Sequence, residues 1–148
     1  MKTVVIFGGS GFVGQHIVRR LAKKGFRIVI PYQTSINEAK LRILGVTGQI
    51  TPLYFIDLKD ITINNILKES DIIINLKTIW DEKKTSFNKG IYKFNKELVG
   101  ILNKIDIKKN KQFIFFSGLG VDQKSDSKRI KIIANTEEYL QKNLKWIF

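Results

Sequence analysis

The chain has no cysteine, one histidine, two prolines and one methionine in 148 residues. The first absence removes disulfides, thiol nucleophiles and cysteine-based zinc sites together. The lone histidine, His16, has no second imidazole to join it at a metal, and its place near the start of the first predicted helix makes it an exposed or half-packed ring. Long apolar stretches are missing too: no run reaches the roughly 18 to 20 residues that cross a bilayer. The N-terminus reads as a strand and not as a secretory signal. A soluble protein of the cytoplasm or a matrix-like intracellular compartment is therefore expected, with at most peripheral membrane association. Acidic residues are half as many as basic ones, 13 against 26, leaving a net charge of +13. The lysines are spread over 22–25, 81–84, 108–111 and 123–131 instead of gathering on one module. That distribution fits a solvated basic surface better than a specific nucleic-acid site.

What the sequence does contain is ordered from the first residues. Lys2 to Phe7, with its run of Val and Ile, has the character of a strand buried on both faces. It breaks into Gly8, Gly9, Ser10, Gly11, Phe12, Val13 and Gly14, and behind the glycines Phe12, Val13, Ile17 and Leu21 recur with helical spacing. Gly8, Gly11 and Gly14 give G-x-x-G-x-x-G, and Gly9, Gly11 and Gly14 give G-x-G-x-x-G. Glycines at a strand-to-helix turn let pyrophosphate oxygens reach the backbone, and the helix start presents free N–H groups and the positive end of its dipole. Ser10 would add a hydroxyl to the phosphates or cap the helix.

Further along, strands are predicted at 26–30, 50–56, 71–76 and 112–116, alternating with helices at 37–44, 61–69, 86–105 and 129–142. This order specifies an α/β fold: a Rossmann-type, doubly wound parallel sheet with helices on both faces, in one domain spanning 1–148. Ligands of such sheets lie over the carboxyl ends of the strands. The residues in question there are Tyr32 and Gln33, Asp57 and Leu58, Asn75, and Ser117. No acid follows the second strand to hold a ribose diol. Asp57 is placed to accept from an adenine amino group or to cap the next helix, and Asn75 and Ser117 to touch the ribose and nicotinamide region or to satisfy turns.

The glycine pattern, Asp57-Leu58, Asn75 and the segment Phe94 to Gly100 resemble extended and atypical short-chain dehydrogenase/reductases, the epimerase/dehydratase-like enzymes. Ile30-Pro31-Tyr32, Leu41-Arg42 with Gly45, Gly48-Gln49-Ile50 and Ile74-Asn75-Leu76 resemble more narrowly the NAD(P)-binding accessory subunit of respiratory complex I and its bacterial relatives. The resemblance covers the chain but only about the N-terminal half of such proteins. It implies that Lys145 to Phe148 begins a sixth strand and that the substrate-recognition region is absent.

Departures from the resemblance bear on chemistry. Reductases of this kind place a Tyr and, four residues on, a Lys on the helix after Ser117; here Arg129 with Ile133, or Ile130 with Ala134, occupy those positions. Tyr92 and Lys96 have the spacing but precede Ser117. The Arg that follows Pro-Tyr in the complex I relatives is Gln33, and Lys77-Thr78 replaces small residues. The expected function is thus binding of NADP(H), slightly favoured over NAD(H), with the nucleotide structural and not turned over. The implied partners are the dinucleotide and a protein assembly such as respiratory complex I. Two other readings stand beside this one: an active reductase or epimerase using Ser117 with a nearby Lys or Tyr92, and a basic binding module or relic fragment.

Overall fold

The computed structural model describes residues 1–105 and 111–146. Five parallel strands, β1 (Thr3–Phe7), β2 (Arg27–Tyr32), β3 (Ile50–Tyr54), β4 (Ile72–Asn75) and β5 (Gln112–Phe115), form one sheet in the order β3-β2-β1-β4-β5. The helices are α1 (Phe12–Lys23), α2 (Glu38–Arg42), α3 (Ile61–Glu69), α4 (Phe94–Leu102) and α5 (Lys128–Asn143). The chain order doubles back at β1, so the switch in strand order, where such sheets hold ligands, falls between β1 and β4.

Alternation along the strands divides the interior into two layers. Val4, Ile6, Ile28, Ile30 and Ile74 face α1 and α2. Val5, Phe7, Val29, Ile73 and Phe113 face α3, α4 and α5. Val4, Val5 and Ile6 have no exposed surface, as a central strand covered on both faces requires.

Three expectations change in detail. The buried stripe of α1 is Gly14, Val18 and Ala22, with Ile17 and Leu21 at its margin; Phe12 is 83% exposed and Val13 is also exposed. Small residues on that stripe bring α1 close to the sheet, and the two large residues at its start are turned out. The predicted helix 86–105 begins as a π-helical turn, Asn88–Lys93, before α4. The Asn95 side chain donates to the Ile91 carbonyl (2.8 Å) and supports that widened turn. At the other end, Lys145 and Trp146 are not in a strand. Trp146 packs into the layer with α4 and donates from Nε1 to the Leu102 carbonyl (3.1 Å), and the remainder of the expected sixth strand, 147–148, lies outside the described residues.

Gln49 gives the Gly-Gln-Ile segment a structural reason. Its Nε2 donates to the carbonyls of Ala22 (2.7 Å) and Phe26 (2.9 Å), and its Oε1 accepts from the Val46 N–H (3.1 Å). A Cβ on Gly45 would stand 2.7 Å from that Oε1. One buried amide thus ties the end of α1 to the loop before β3. Gln49→Leu removes three hydrogen bonds and is expected to cost about 2 to 4 kcal/mol, read as a lower midpoint in thermal unfolding.

Candidate functional site

The carboxyl ends of β1, β4 and β5 open on a cleft of about 720 Å³, walled by the glycine loop, residues 76–78, Trp80, residues 115–119 and the start of α5. The loop is built from backbone. Gly8 turns the chain at φ +78°, and a Cβ there would sit 3.0 Å from the Leu76 carbonyl carbon and the Lys77 nitrogen. A Cβ on Gly14 would come within 2.3 Å of the Gly8 oxygen. Gly9 packs inward on Ile30 and does not reach the cleft. Gly11 lines it and has only the Gly8 oxygen nearby, at 3.3 Å, so its remaining side is open.

Gly11 is also the N-cap of α1, with no side chain capping the helix and no acidic residue in its first turn. By helix geometry the N–H groups of Phe12, Val13 and Gly14 lack intrahelical acceptors, and all three residues line the cleft. Ser10 lines it as well. Ser10 does not cap the helix; its carbonyl instead accepts from Gln15 Nε2 (2.8 Å). The turned-out Phe12 and Val13 are therefore cleft walls, which is why they break the core stripe.

The strand ends divide into those that reach the cleft and those that do not. Asn75 is fully buried: its amide donates to Asn95 Oδ1 (2.7 Å) and its oxygen accepts from the Lys77 N–H (3.0 Å). It holds the turn after β4 and has no surface to offer a ligand. Leu58 is a core residue. Asp57 is exposed, with Oδ1 accepting from the Lys59 N–H (2.7 Å), and the cap of α3 that it was read for belongs to Asp60, which accepts from Thr62 (2.8 Å). Tyr32 tilts against Tyr54 and donates its hydroxyl to Glu38 on α2. Gln33 is on the rim, its Nε2 bonded to the Ile56 carbonyl (2.8 Å) and its Oε1 accepting from Lys77 Nζ.

Ser117 lines the cleft, and its buried hydroxyl has no hydrogen-bond partner. The wall from α5 is Arg129, Ile130 and Ile133. Arg129 lies 4.1 Å over the Trp80 ring, donating from Nε to the Ile79 carbonyl (2.9 Å) and from Nη2 to Thr78 Oγ1 (3.0 Å). Tyr92 faces away. It packs on Tyr139 and lines a separate groove with Asn135 and Glu138, so the reading that recruits it beside Ser117 does not hold.

No aspartate or glutamate is among the cleft's lining residues, whereas Lys77 and Arg129 both are. Burial pushes the Lys77 ammonium down from 10.5 to about 8. Its folded value is below its unfolded one, so between about pH 8 and 10.5 the unfolded chain binds more protons, and stability is expected to rise with pH by about 1 to 3 kcal/mol from this group. Tyr32, raised by its hydrogen bond to Glu38, acts in the opposite direction above pH 10. Urea unfolding from pH 7.5 to 9.5 checks the rise, which Lys77→Met should flatten. Sequence reasoning passed over Lys77 and Arg129 as cleft cations, and Trp80, Ile91, Phe115 and Leu119 as walls. Trp80 and Leu119, large apolar residues a few positions past β4 and β5 in stretches otherwise rich in polar residues, were the available signal.

The cleft fits a dinucleotide on its own geometry: a glycine loop closed on backbone at Gly8 and Gly14 and open toward the cleft at Gly11, an uncapped helix start, two cations, and an orphaned hydroxyl. Among known proteins, the NADH dehydrogenase (ubiquinone) 1 alpha subcomplex subunit 9 of Mus musculus mitochondria is 26% identical over 85% of this chain and 33% of its own length. The first curated relatives are matched over 18% to 33% of their lengths. The UDP-Glc/GlcNAc 4-epimerase of Campylobacter jejuni superposes with a TM-score of 0.70 at 18% identity, over 97% of this chain and 49% of the other. The Bordetella bronchiseptica enzyme WbmH, solved in complex with NAD+, does so at 0.71 and 16%, over 99% and 54%. These superpositions establish the parallel, Rossmann-like fold. The family model for NAD dependent epimerase/dehydratases matches residues 4–139, from within β1 to within α5, and the chain belongs to that family.

Proposed function

We propose that this chain binds an NAD(P) dinucleotide through the glycine loop and the start of α1, and that the nucleotide stabilises the fold or a docking surface without being turned over. The observation that carries the second half is the wall opposite Ser117. Arg129, Ile130 and Ile133 line it, no Tyr occupies the first turns of α5, and the lysines there, Lys128 and Lys131, are not among the residues lining the cleft, so no phenol with a lysine-lowered pKa is at hand to pass a proton. A bound nicotinamide would supply hydride chemistry. The chain's own residues hold and orient it: backbone N–H groups and Gly11 toward the pyrophosphate, Phe12, Ile91 and Phe115 excluding water. Likeness to a complex I subunit favours a docking role in a respiratory assembly, on the matrix side or in another intracellular compartment.

Calorimetric titration with NADPH and NADH in moderate salt tests the binding. Micromolar affinity for either supports it, and a higher unfolding midpoint with nucleotide follows by mass action. Flat titrations of folded protein would favour a basic module or relic instead. A second reading, an active reductase or epimerase, draws on the orphaned Ser117 hydroxyl, which a substrate or ribose oxygen would satisfy. Steady oxidation of NADPH with a carbonyl substrate, lost in Ser117→Ala, would establish it over the first.

A further inference from the structure

We propose that Lys77 determines nucleotide choice, supplying from the end of β4 the positive charge that Gln33, at the end of β2, lacks, and thereby favouring a dinucleotide phosphorylated on its adenosine ribose. The inference rests on the nucleotide-binding reading above.

The sheet order puts the ends of β2 and β4 on either side of β1 and its glycine loop. Gln33 follows β2 directly, and Lys77 stands two residues past β4. The Lys77 side chain crosses between them. Its Nζ lies 4.1 Å from the centre of the Phe94 ring and donates to Gln33 Oε1, while Gln33 is itself held by the Ile56 carbonyl beyond β3 (2.8 Å). The lysine's backbone is fixed in turn: its N–H donates to Asn75 (3.0 Å), which is bonded to Asn95. The cation is thus placed at the rim beside the loop that would hold the pyrophosphate, on the side where the second strand presents a ribose.

Its partners are an amide oxygen and a ring face. Among the described residues no carboxylate pairs with it, and Asp57, the acid at the end of the neighbouring strand, is engaged by the Lys59 N–H. A half-buried ammonium with neutral partners keeps its bond to an arriving phosphate largely unmade until that phosphate is there. The lowered pKa agrees with the absence of a counter-ion. Gln33 has a role in this arrangement that an arginine could not fill, because a guanidinium has no acceptor with which to hold the lysine.

The test is the set of dissociation constants of NADPH, NADH, 2′,5′-ADP and 5′-AMP for wild type, Lys77→Met and Lys77→Arg, with thermal melts confirming that each variant is folded. Lys77→Gln is the second neutral variant should Met disturb the fold. The expected result is a wild-type preference for NADPH and 2′,5′-ADP. A neutral residue should weaken both by about tenfold or more and change NADH and 5′-AMP by less than about threefold, while Lys77→Arg keeps the preference. An unchanged NADPH to NADH ratio in the neutral variants, with both nucleotides still bound, overturns the role of Lys77 and leaves nucleotide binding standing. Tighter binding of all four ligands in those variants also overturns it, by showing that the side chain obstructs the ribose site. If wild type binds none of the four, both readings fall.

Discussion

Gly14→Ala is expected to lower the thermal midpoint of the protein by at least 6 to 12 °C and to abolish nucleotide binding with it. The added Cβ would stand 2.3 Å from the Gly8 oxygen, 2.6 Å from Gly9 Cα and 2.7 Å from the Gly9 carbonyl carbon. All three are backbone atoms, so no side chain can swing aside, and the loop and α1 must separate. Overpacking costs about 1 to 3 kcal/mol where neighbours yield and more where they do not. Alanine's better helix propensity returns only about 1 kcal/mol. A net loss near 3 kcal/mol corresponds to roughly 2 to 4 °C per kcal/mol in a chain of this size. Calorimetric or far-UV melts decide the matter, and an unchanged midpoint would mean that α1 does not rest on the loop as described.

Gly11→Asp should give the opposite pairing, with stability preserved and nucleotide affinity reduced at least about a hundredfold, a loss of about 2.7 kcal/mol. Gly11 has φ −72° and ψ 174°, an extended conformation open to any residue, and the nearest atom to an added Cβ is the Gly8 oxygen at 3.3 Å, which asks for a shift of a few tenths of an ångström. Aspartate is among the preferred N-cap residues, and its charge suits the positive end of the helix dipole, gains of about 0.5 to 1 kcal/mol that offset the shift. The same carboxylate occupies the place of a phosphate at the uncapped helix start. Melts and titrations on one preparation separate the two effects. Undiminished NADPH binding to this variant would locate the nucleotide elsewhere on the molecule.

The two glycines also mark what a linear reading can reach. Strand-to-helix alternation was legible because Val and Ile runs bounded by Gly, Asn and Asp leave few alternatives, and the spacing of Gly8, Gly11 and Gly14 located the loop. The stripe of α1 was misread since Phe12 and Val13 fit the same helical period as Ile17 and Leu21, although they serve the cleft. Functional positions depart from the pattern that buries a core. The π-turn at Asn88–Lys93 is a single change of pitch that apolar periodicity does not register. Asn75 was a plausible ligand contact until its partner, Asn95, closed over it from twenty residues away. The bond from Lys77 to Gln33 spans 44 positions. Gly45 and Gln49 were visible as a resemblance, and their contact supplies the reason.

The two tryptophans occupy opposite surroundings, and that makes the molecule its own optical instrument. Trp80 is 78% exposed at the cleft mouth with a guanidinium against its ring, whereas Trp146 is 4% exposed and its indole N–H is bonded to a backbone carbonyl. A water-borne quencher such as iodide reaches the first and not the second, so the emission divides into a component that senses the cleft and an internal reference. Any molecule entering between the glycine loop and Arg129 changes one component and leaves the other fixed, without a label attached to the chain.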